Sequence, residues 1–193
     1  VIDNGEVCYL HLITDAYSHK IIGWVLADTL RAAMTKEALE QAISQAGHIL
    51  PDTLIHHSDR GVQYCCDDYV ETLRRHHIRI SMTEDSNPTD NAIAERTNGI
   101  IKGEGIYPRE AFDSLEHARS VIGKYIHFYN NRRPHMSIGY KVPALAHMET
   151  GPQKKMWKGK IYKKKVCTNG NNEIPLPCQT KSPDDSLSHQ HGI

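Results

Sequence analysis

Two apolar segments of seven residues, Val7–Ile13 (VCYLHLI) and Lys20–Leu26 (KIIGWVL), are separated by only six residues. So short a connection suits an antiparallel pair and not a parallel one, which needs a longer crossover. Their β-branched and aromatic content fits strands. Just upstream, Asp3-Asn4-Gly5 signals a tight hairpin turn, because Asn-Gly tolerates positive φ at both central positions. A hairpin needs a strand on each side, and only Val1 and Ile2 stand before this turn. A strand is therefore expected to be missing at the N-terminus.

The pattern then changes. Ala33–Ala46 carries Ala38, Leu39, Ala42, Ile43 and Ala46 at helical spacing, and Gly47 stops it. Thr53–His57 is expected as a strand of the buried type, Asp67–His76 as a helix and Ile78–Met82 as a short strand. Glu84–Asn87 is expected as a loop and Pro88–Glu104 as a helix despite Gly99 and Gly103. Asp113 with Glu116 forms a capping pair that opens a long helix to about Asn130. Asn131–Val142 is irregular, and Pro143–Met148 is a last short helix. Antiparallel strands followed by alternating strand and helix predict an α/β fold with a mixed sheet flanked by helices.

Residues 1–150 are expected to form one core domain, incomplete at its N-terminus, and residues 151–193 a flexible tail. The tail opens with seven lysines and no acid between Lys154 and Lys165, in a chain whose 23 basic and 23 acidic residues otherwise cancel. Any attraction to phosphate must then be local. Five cysteines, an odd number without a C-x-x-C, fit reduced thiols and a cytoplasmic setting. No apolar run reaches membrane-spanning length.

The chemistry-bearing stretch is HHSDRGVQY, His56–Tyr64, where a strand ends in Asp59, Arg60 and Gly61. Downstream, Asn91, Glu95, Asn98 and Lys102 fall within about 60° of arc at 100° per residue, while Ile93, Thr97, Ile100 and Ile101 face the opposite way. An amphipathic surface helix gives the same pattern. A carboxylate at a strand end and another on a later helix can also hold Mg²⁺, which prefers oxygen ligands and keeps several waters. Lys102 could meet a phosphate as a point charge, and Gly61 permits close backbone approach.

Three stretches, HHSDRGVQY, NPTDNAIAERTNGIIKGE (Asn87–Glu104) and HFYNNRRPHMSIGYKVPA (His127–Ala144), together with YLHLITDAYSHKIIGW (Tyr9–Trp24), resemble the integrase-like catalytic core of bacterial insertion-sequence transposases. These are relatives of retroviral integrases. The resemblance covers residues 7–148 or so and implies a ribonuclease H-like fold. It also implies a catalytic set of Asp, Asp and Glu that binds Mg²⁺ or Mn²⁺ and cleaves and joins DNA. Asp59 and Glu95, with 35 residues between them, and Lys102, seven after Glu95, match that pattern. The first Asp of the set belongs to the strand expected to be missing. Asp3 lies in the turn, and Asp15 is expected in a turn or capping role. Two of three carboxylates are thus present, and the chain alone is expected to be inactive.

The resemblance implies DNA, both element ends and target, as the partner, and a homo-oligomer on that DNA. DNA contacts are expected from Lys102, Asn91, Asn98 and Arg60. Arg132, Arg133 and His135 join them from a polar cluster with Tyr129 and Asn130, which otherwise is a well-satisfied loop. Lys158 and Lys163 lie in a tail segment that mixes base with Trp157 and Tyr162, suited to phosphate contact and stacking. A nuclease that only hydrolyses and a non-catalytic remnant that binds DNA or a full-length partner are the alternatives. A zinc site is not expected, since the adjacent His56 and His57 point to opposite faces of a strand. Cys65 and Cys66 are expected as ordinary buried thiols.

Overall fold

The computed structural model describes residues 5–47, 49–83, 91–108 and 111–153. The expected loop at residues 84–87, the start of the helix at 88–90 and the tail beyond 153, including Lys158 and Lys163, lie outside them.

The hairpin forms as the spacing dictates. Strands β1 (Tyr9–Thr14) and β2 (Ile21–Ala27) pair antiparallel, with Leu12 opposite Trp24 and Leu10 opposite Leu26. Both faces are covered. Leu10, Leu12, Trp24 and Leu26 pack toward helix α5 (Leu115–Asn131), together with Ile122, Ile126 and Tyr129. Ile13, Val25 and Ala27 face helix α1 (Ala32–Ala46). A bulge between Ile13 and Thr14 shifts the register, so Ile21 packs toward α5 while Ile22 joins Gly23 on the α1 side. Gly23 is where α1 crosses β2 most closely, since a Cβ there would lie 2.0 Å from the Ala38 carbonyl oxygen.

A second unit follows. Strand β3 (Ile55–Ser58) and strand β4 (Arg79–Met82) pair in parallel, Ile55 opposite Arg79 and Ser58 opposite Met82. A one-turn helix α2 (Val62–Cys65) and helix α3 (Asp67–Arg75) form the crossover between them. Tyr69 and Leu73 of α3 and Ile78 join Leu39, Ala42 and Ile43 of α1 in one core. The architecture is α/β, as expected, with antiparallel and parallel pairing both present. The sheet is nevertheless split: β1–β2 and β3–β4 are separate ladders.

Helix α4 (Ala92–Ile100) runs on into a π-helical turn, Ile101–Ile106, whose wide closure shows in the Tyr107 N–H donating to the Lys102 carbonyl at 2.8 Å. Regular helix thus ends four residues before the expected Glu104. Gly103 and Gly105 weaken the α-helix here, and Gly105 lets its backbone lie against the Tyr125 ring, where a Cβ would come within 2.7 Å. Helix α5 starts one residue later than expected. Ser114, not Asp113, is the cap and accepts from the His117 N–H at 3.1 Å, while Asp113 pairs with the His117 ring at 2.8 Å. A 3₁₀ turn (Met136–Ile138), an isolated bridge between His135 and Lys141, and helix α6 (Pro143–Ala146) complete the described chain. Among the described residues no helix is long and apolar enough to cross a membrane.

Candidate functional site

Strand β3 ends at Ser58, and the carboxylate that follows closes its own turn. Asp59 Oδ1 accepts the Gly61 N–H at 2.9 Å. A side chain at Gly61 would meet that oxygen at 2.9 Å and Gln63 Nε2 at 2.6 Å. Glycine therefore lets the chain fold tightly around the acid. Arg60 turns the other way and donates from Nε to the Thr83 carbonyl at 2.9 Å, just past the end of β4. Asp59 remains exposed.

Asp59 lies at a cleft of about 250 Å³ between Leu12–Thr14 of β1, Ile55–Ser58 of β3 and Asn91–Ala94 at the start of α4. Asn91 occupies the capping position of α4 without a side-chain cap bond, and its carbonyl accepts from the Glu95 N–H at 3.0 Å. The fold thus brings Asp59 and Asn91 to one cavity. Glu95, the next residue after that wall, is exposed and stands outside the lining. Ile93 departs from its expected place in the core: it is 37% exposed and lines the cleft, while Thr97 and Ile101 are buried as expected. Asn98 is half-buried and Lys102 exposed.

On the far side of the π turn, Glu104 organises a network. Arg133 reaches it with two donors, Nε to Oε2 at 2.8 Å and a terminal nitrogen to Oε1 at 2.6 Å, and the Tyr125 hydroxyl donates to Oε2 at 2.7 Å. The Arg133 bonds hold the Glu104 carboxyl at about 2, well below the usual range. His135 is buried against Tyr129, their ring centroids 4.7 Å apart, and burial followed by the Arg133 charge lowers its pKa to about 4. At neutral pH it is uncharged. Arg132 is exposed. Tyr129 is fully buried, and Asn130 binds β2 with both ends of its amide, accepting from the Ile21 N–H and donating to the Ile21 carbonyl, each at 2.9 Å. Of the expected polar cluster, Arg133 and His135 are engaged internally and Arg132 faces solvent.

Asp15 takes the turn role. It accepts from the Ser18 hydroxyl and N–H and from His147 Nδ1 at 3.0 Å, tying the β1–β2 turn to the end of α6. Burial alone would raise its pKa, and the His147 and Ser18 bonds outweigh that, leaving it below the ordinary value. His56 is buried beside Tyr64 and Tyr69, and His57 pairs with Ser81 Oγ at 2.9 Å. Cys65, expected buried, is exposed with its sulfur 4.0 Å from that of Met82. Sequence reading did not single out Glu104, Tyr125 or His147. Glu104 and Arg133 are 29 positions apart, and nothing local marks them as partners.

Asp59 and Glu95 offer oxygen donors of the kind Mg²⁺ takes, at exposed positions with room for its waters. Among the described residues, no three His, Cys, Asp or Glu side chains form a metal-holding group.

The fold class is ribonuclease H-like. The structure matches the HTLV-2 integrase catalytic core domain in complex with magnesium at a TM-score of 0.54 and 24% identity, covering 72% of this chain and 83% of that one. It also matches a chain of the simian T-cell lymphotropic virus intasome at a TM-score of 0.63 and 18% identity, covering 84% and 56%. Two family models described as integrase core domain match residues 1–88 and 76–143. The transposase for insertion sequence element IS904 of Lactococcus lactis is 35% identical over 136 residues, 70% of this chain and 53% of the relative. The transposase InsF for insertion sequence IS3A of Escherichia coli is 36% identical over 132 residues, 68% and 45%. This chain belongs to the integrase core family of insertion-sequence transposases. It spans about half the length of the curated relatives it matches.

Proposed function

We propose that this chain is the catalytic-core portion of a transposase that cleaves DNA at element ends and joins them to a target. The observation that carries the reading is Asp59, exposed in a turn at the end of β3 and sharing a cleft with the N-terminus of the helix that bears Glu95. Asp59 and Glu95 would hold Mg²⁺ or Mn²⁺, which supplies charge stabilisation for the attacking and leaving oxygens of a phosphoryl transfer. The chain's own part is to place those two carboxylates and to bind the backbone. Lys102 and Arg132, both exposed, meet DNA phosphates as fixed positive charges. Arg60 frames the Asp59 turn through Thr83 and contributes charge beside it. Asn91 at the cleft and Asn98 further along α4 offer amides to phosphate or sugar oxygens. Arg133 acts from behind by holding Glu104 of the π turn that carries Lys102, with His135 beside it, and Lys158 and Lys163 add positive charge for phosphate. The working form is a homo-oligomer on DNA, with residues 1–150 as the core and 151–193 as a tail.

The cleft wall itself carries one carboxylate, Asp59. That supports the second reading for the chain as it stands: it binds DNA or a longer partner and does not cut. Joining of a labelled DNA end separates the two. The 193-residue chain is expected to be inactive, and a longer form that adds a strand bearing an Asp is expected to join ends with Mg²⁺ or Mn²⁺. Asp59→Asn or Glu95→Gln should then abolish joining, because an amide supplies no anionic ligand. Full joining by either variant overturns the assignment.

A further inference from the structure

The π turn at Ile101–Ile106 is a rare piece of backbone, of the kind that frequently marks a functional site. In an α-helix, residues five apart lie about 140° from one another around the axis. Lys102 and Tyr107 would then face different ways. Here the Tyr107 N–H donates to the Lys102 carbonyl at 2.8 Å, so the two residues stand on successive turns. The π closure sets a residue with a cation next to one with an aromatic ring.

What holds the turn lies on its other side. Glu104 accepts two bonds from Arg133 and one from the Tyr125 hydroxyl, and Gly105 is buried against the Tyr125 ring. Lys102 and Tyr107 are left to solvent. Lys102 is exposed, and Tyr107, at 71%, is the most exposed tyrosine among the described residues. Among those residues neither side chain has a hydrogen bond or ion pair. Lys102 also stands seven residues, about two turns, beyond Glu95.

A free ammonium beside a bare ring fits a partner with a negative charge and a flat apolar face. A nucleotide has both. In a duplex the base faces are covered by their neighbours, so a base that lies on a tyrosine ring is an unpaired one.

We propose that Lys102 and Tyr107 form a seat for one unpaired nucleotide of a DNA strand. The ammonium meets its phosphate, and the Tyr107 ring stacks on its base. The π turn sets the spacing of the two, and Glu104, gripped by Arg133 and Tyr125, holds that turn. Tyr107 is thus a DNA-binding residue and Glu104 a positioning residue. The seat rests on the DNA-joining function proposed above and adds to it a strand that is locally single.

The test is fluorescence anisotropy at low salt on the full 193-residue chain. One probe is a labelled oligonucleotide of about ten thymidines, within the site sizes of single-strand binders, and the other is a blunt duplex of the same length. Tyr107→Ala should weaken single-strand binding about tenfold, the worth of one base stacked on an aromatic ring, and duplex binding by less than about twofold. Tyr107→Phe keeps the ring and should keep the affinity. Tyr107→Leu keeps only apolar bulk and should behave as alanine does. Lys102→Ala should flatten the slope of log affinity against log salt by about 0.7, one phosphate on a single strand, while Tyr107→Ala should leave the slope alone. In a Glu104→Gln background the Tyr107→Ala loss should shrink. Urea midpoints of the Tyr107 variants should match the unaltered chain, which separates binding from folding. Unchanged single-strand affinity in Tyr107→Ala overturns the seat, and the DNA function survives that result if Lys102→Ala still weakens binding. Equal losses on single strand and duplex, or equal affinities of the phenylalanine and leucine variants, overturn it too. A Tyr107→Ala loss undiminished by Glu104→Gln overturns the positioning role. Failure of the unaltered chain to bind either probe overturns the DNA function and the seat together. If Tyr107→Ala changes the sedimentation of the DNA-free chain, the ring belongs to a contact between copies and the seat is wrong.

Discussion

Replacing Asn130 by alanine should be among the costliest single changes in the described chain. The side chain is a buried amide, 9% exposed, near the end of α5, and it satisfies both the N–H and the C=O of Ile21 at 2.9 Å. Ile21 is itself buried at the start of β2, where the bulge has shifted the register. Alanine removes both bonds and leaves two buried backbone groups without a protein partner. Each such group costs about 1–3 kcal/mol. Alanine is also the better helix former, which returns roughly half a kcal/mol. The expected net loss is about 1.5–5.5 kcal/mol, a large fraction of the ~5–15 kcal/mol that holds an ordinary domain together. Neighbouring Asn131 is the control, because it is exposed and bonds only within its own helix, to the His127 carbonyl at 2.9 Å. Asn131→Ala gains the same helix propensity and should change stability by no more than about 0.5 kcal/mol. The assay is urea unfolding of the two variants, with the slope checked for constancy. If Asn130→Ala costs no more than Asn131→Ala, water replaces the amide and the two-bond clamp carries no energy.

Gly23→Ala should destabilise by about 1–3 kcal/mol through overpacking, since its Cβ would meet the Ala38 carbonyl oxygen at 2.0 Å; a thermal midpoint matching the unaltered chain would contradict that close crossing. Asp15, its carboxyl held below the ordinary value by His147 and Ser18, contributes stability that is full above its unfolded pKa of about 3.9 and is lost as pH falls through the lower folded value. Urea midpoints should therefore drop on acidification below about pH 4, and Asp15→Asn should show a smaller acid-side drop; equal drops would place the acid sensitivity elsewhere. In a longer, active form of the protein, Lys102→Ala should lower DNA joining and reduce the slope of log affinity against log salt by about 0.9, one phosphate contact. An unchanged slope would remove Lys102 from the backbone contacts.

The elements legible in the sequence were those with a local cause. The β1–β2 hairpin follows from a short connection between two apolar runs, and α1 from a clean helical period closed by Gly47, which indeed adopts φ +69°. Asp59 at the end of β3 was legible because a carboxylate beside Arg-Gly has a local meaning. What failed locally was a contest between near equals. Asp113 and Ser114 are both good caps, and the structure uses Ser114. Ile93 has the period of a core residue, yet the core it would enter is the cleft. The π turn escaped because its cause is tertiary: the Tyr125 ring needs the bare Gly105 backbone. Arg133 carries the same kind of surprise. A basic residue in a polar loop suggests phosphate, but Glu104 takes two of its three guanidinium nitrogens.

The split sheet also bears on how the chain assembles. Residues 9–46 close a hairpin and a helix through short loops, and residues 55–82 close a strand–helix–strand unit of comparable size. No backbone ladder joins them among the described residues; side chains of α1 and α3 do. Each unit can therefore form from nearby contacts, which is the fast route to structure. Two links of long sequence distance, Ile21 with Asn130 and Asp15 with His147, are 109 and 132 positions apart. Closing loops of that length costs more chain entropy than closing either module. Early in folding the chain then resembles two small modules on a tether; α1 against α3 joins them into one core, and the links from α5 and the α6 end fasten the C-terminal helices to the first module.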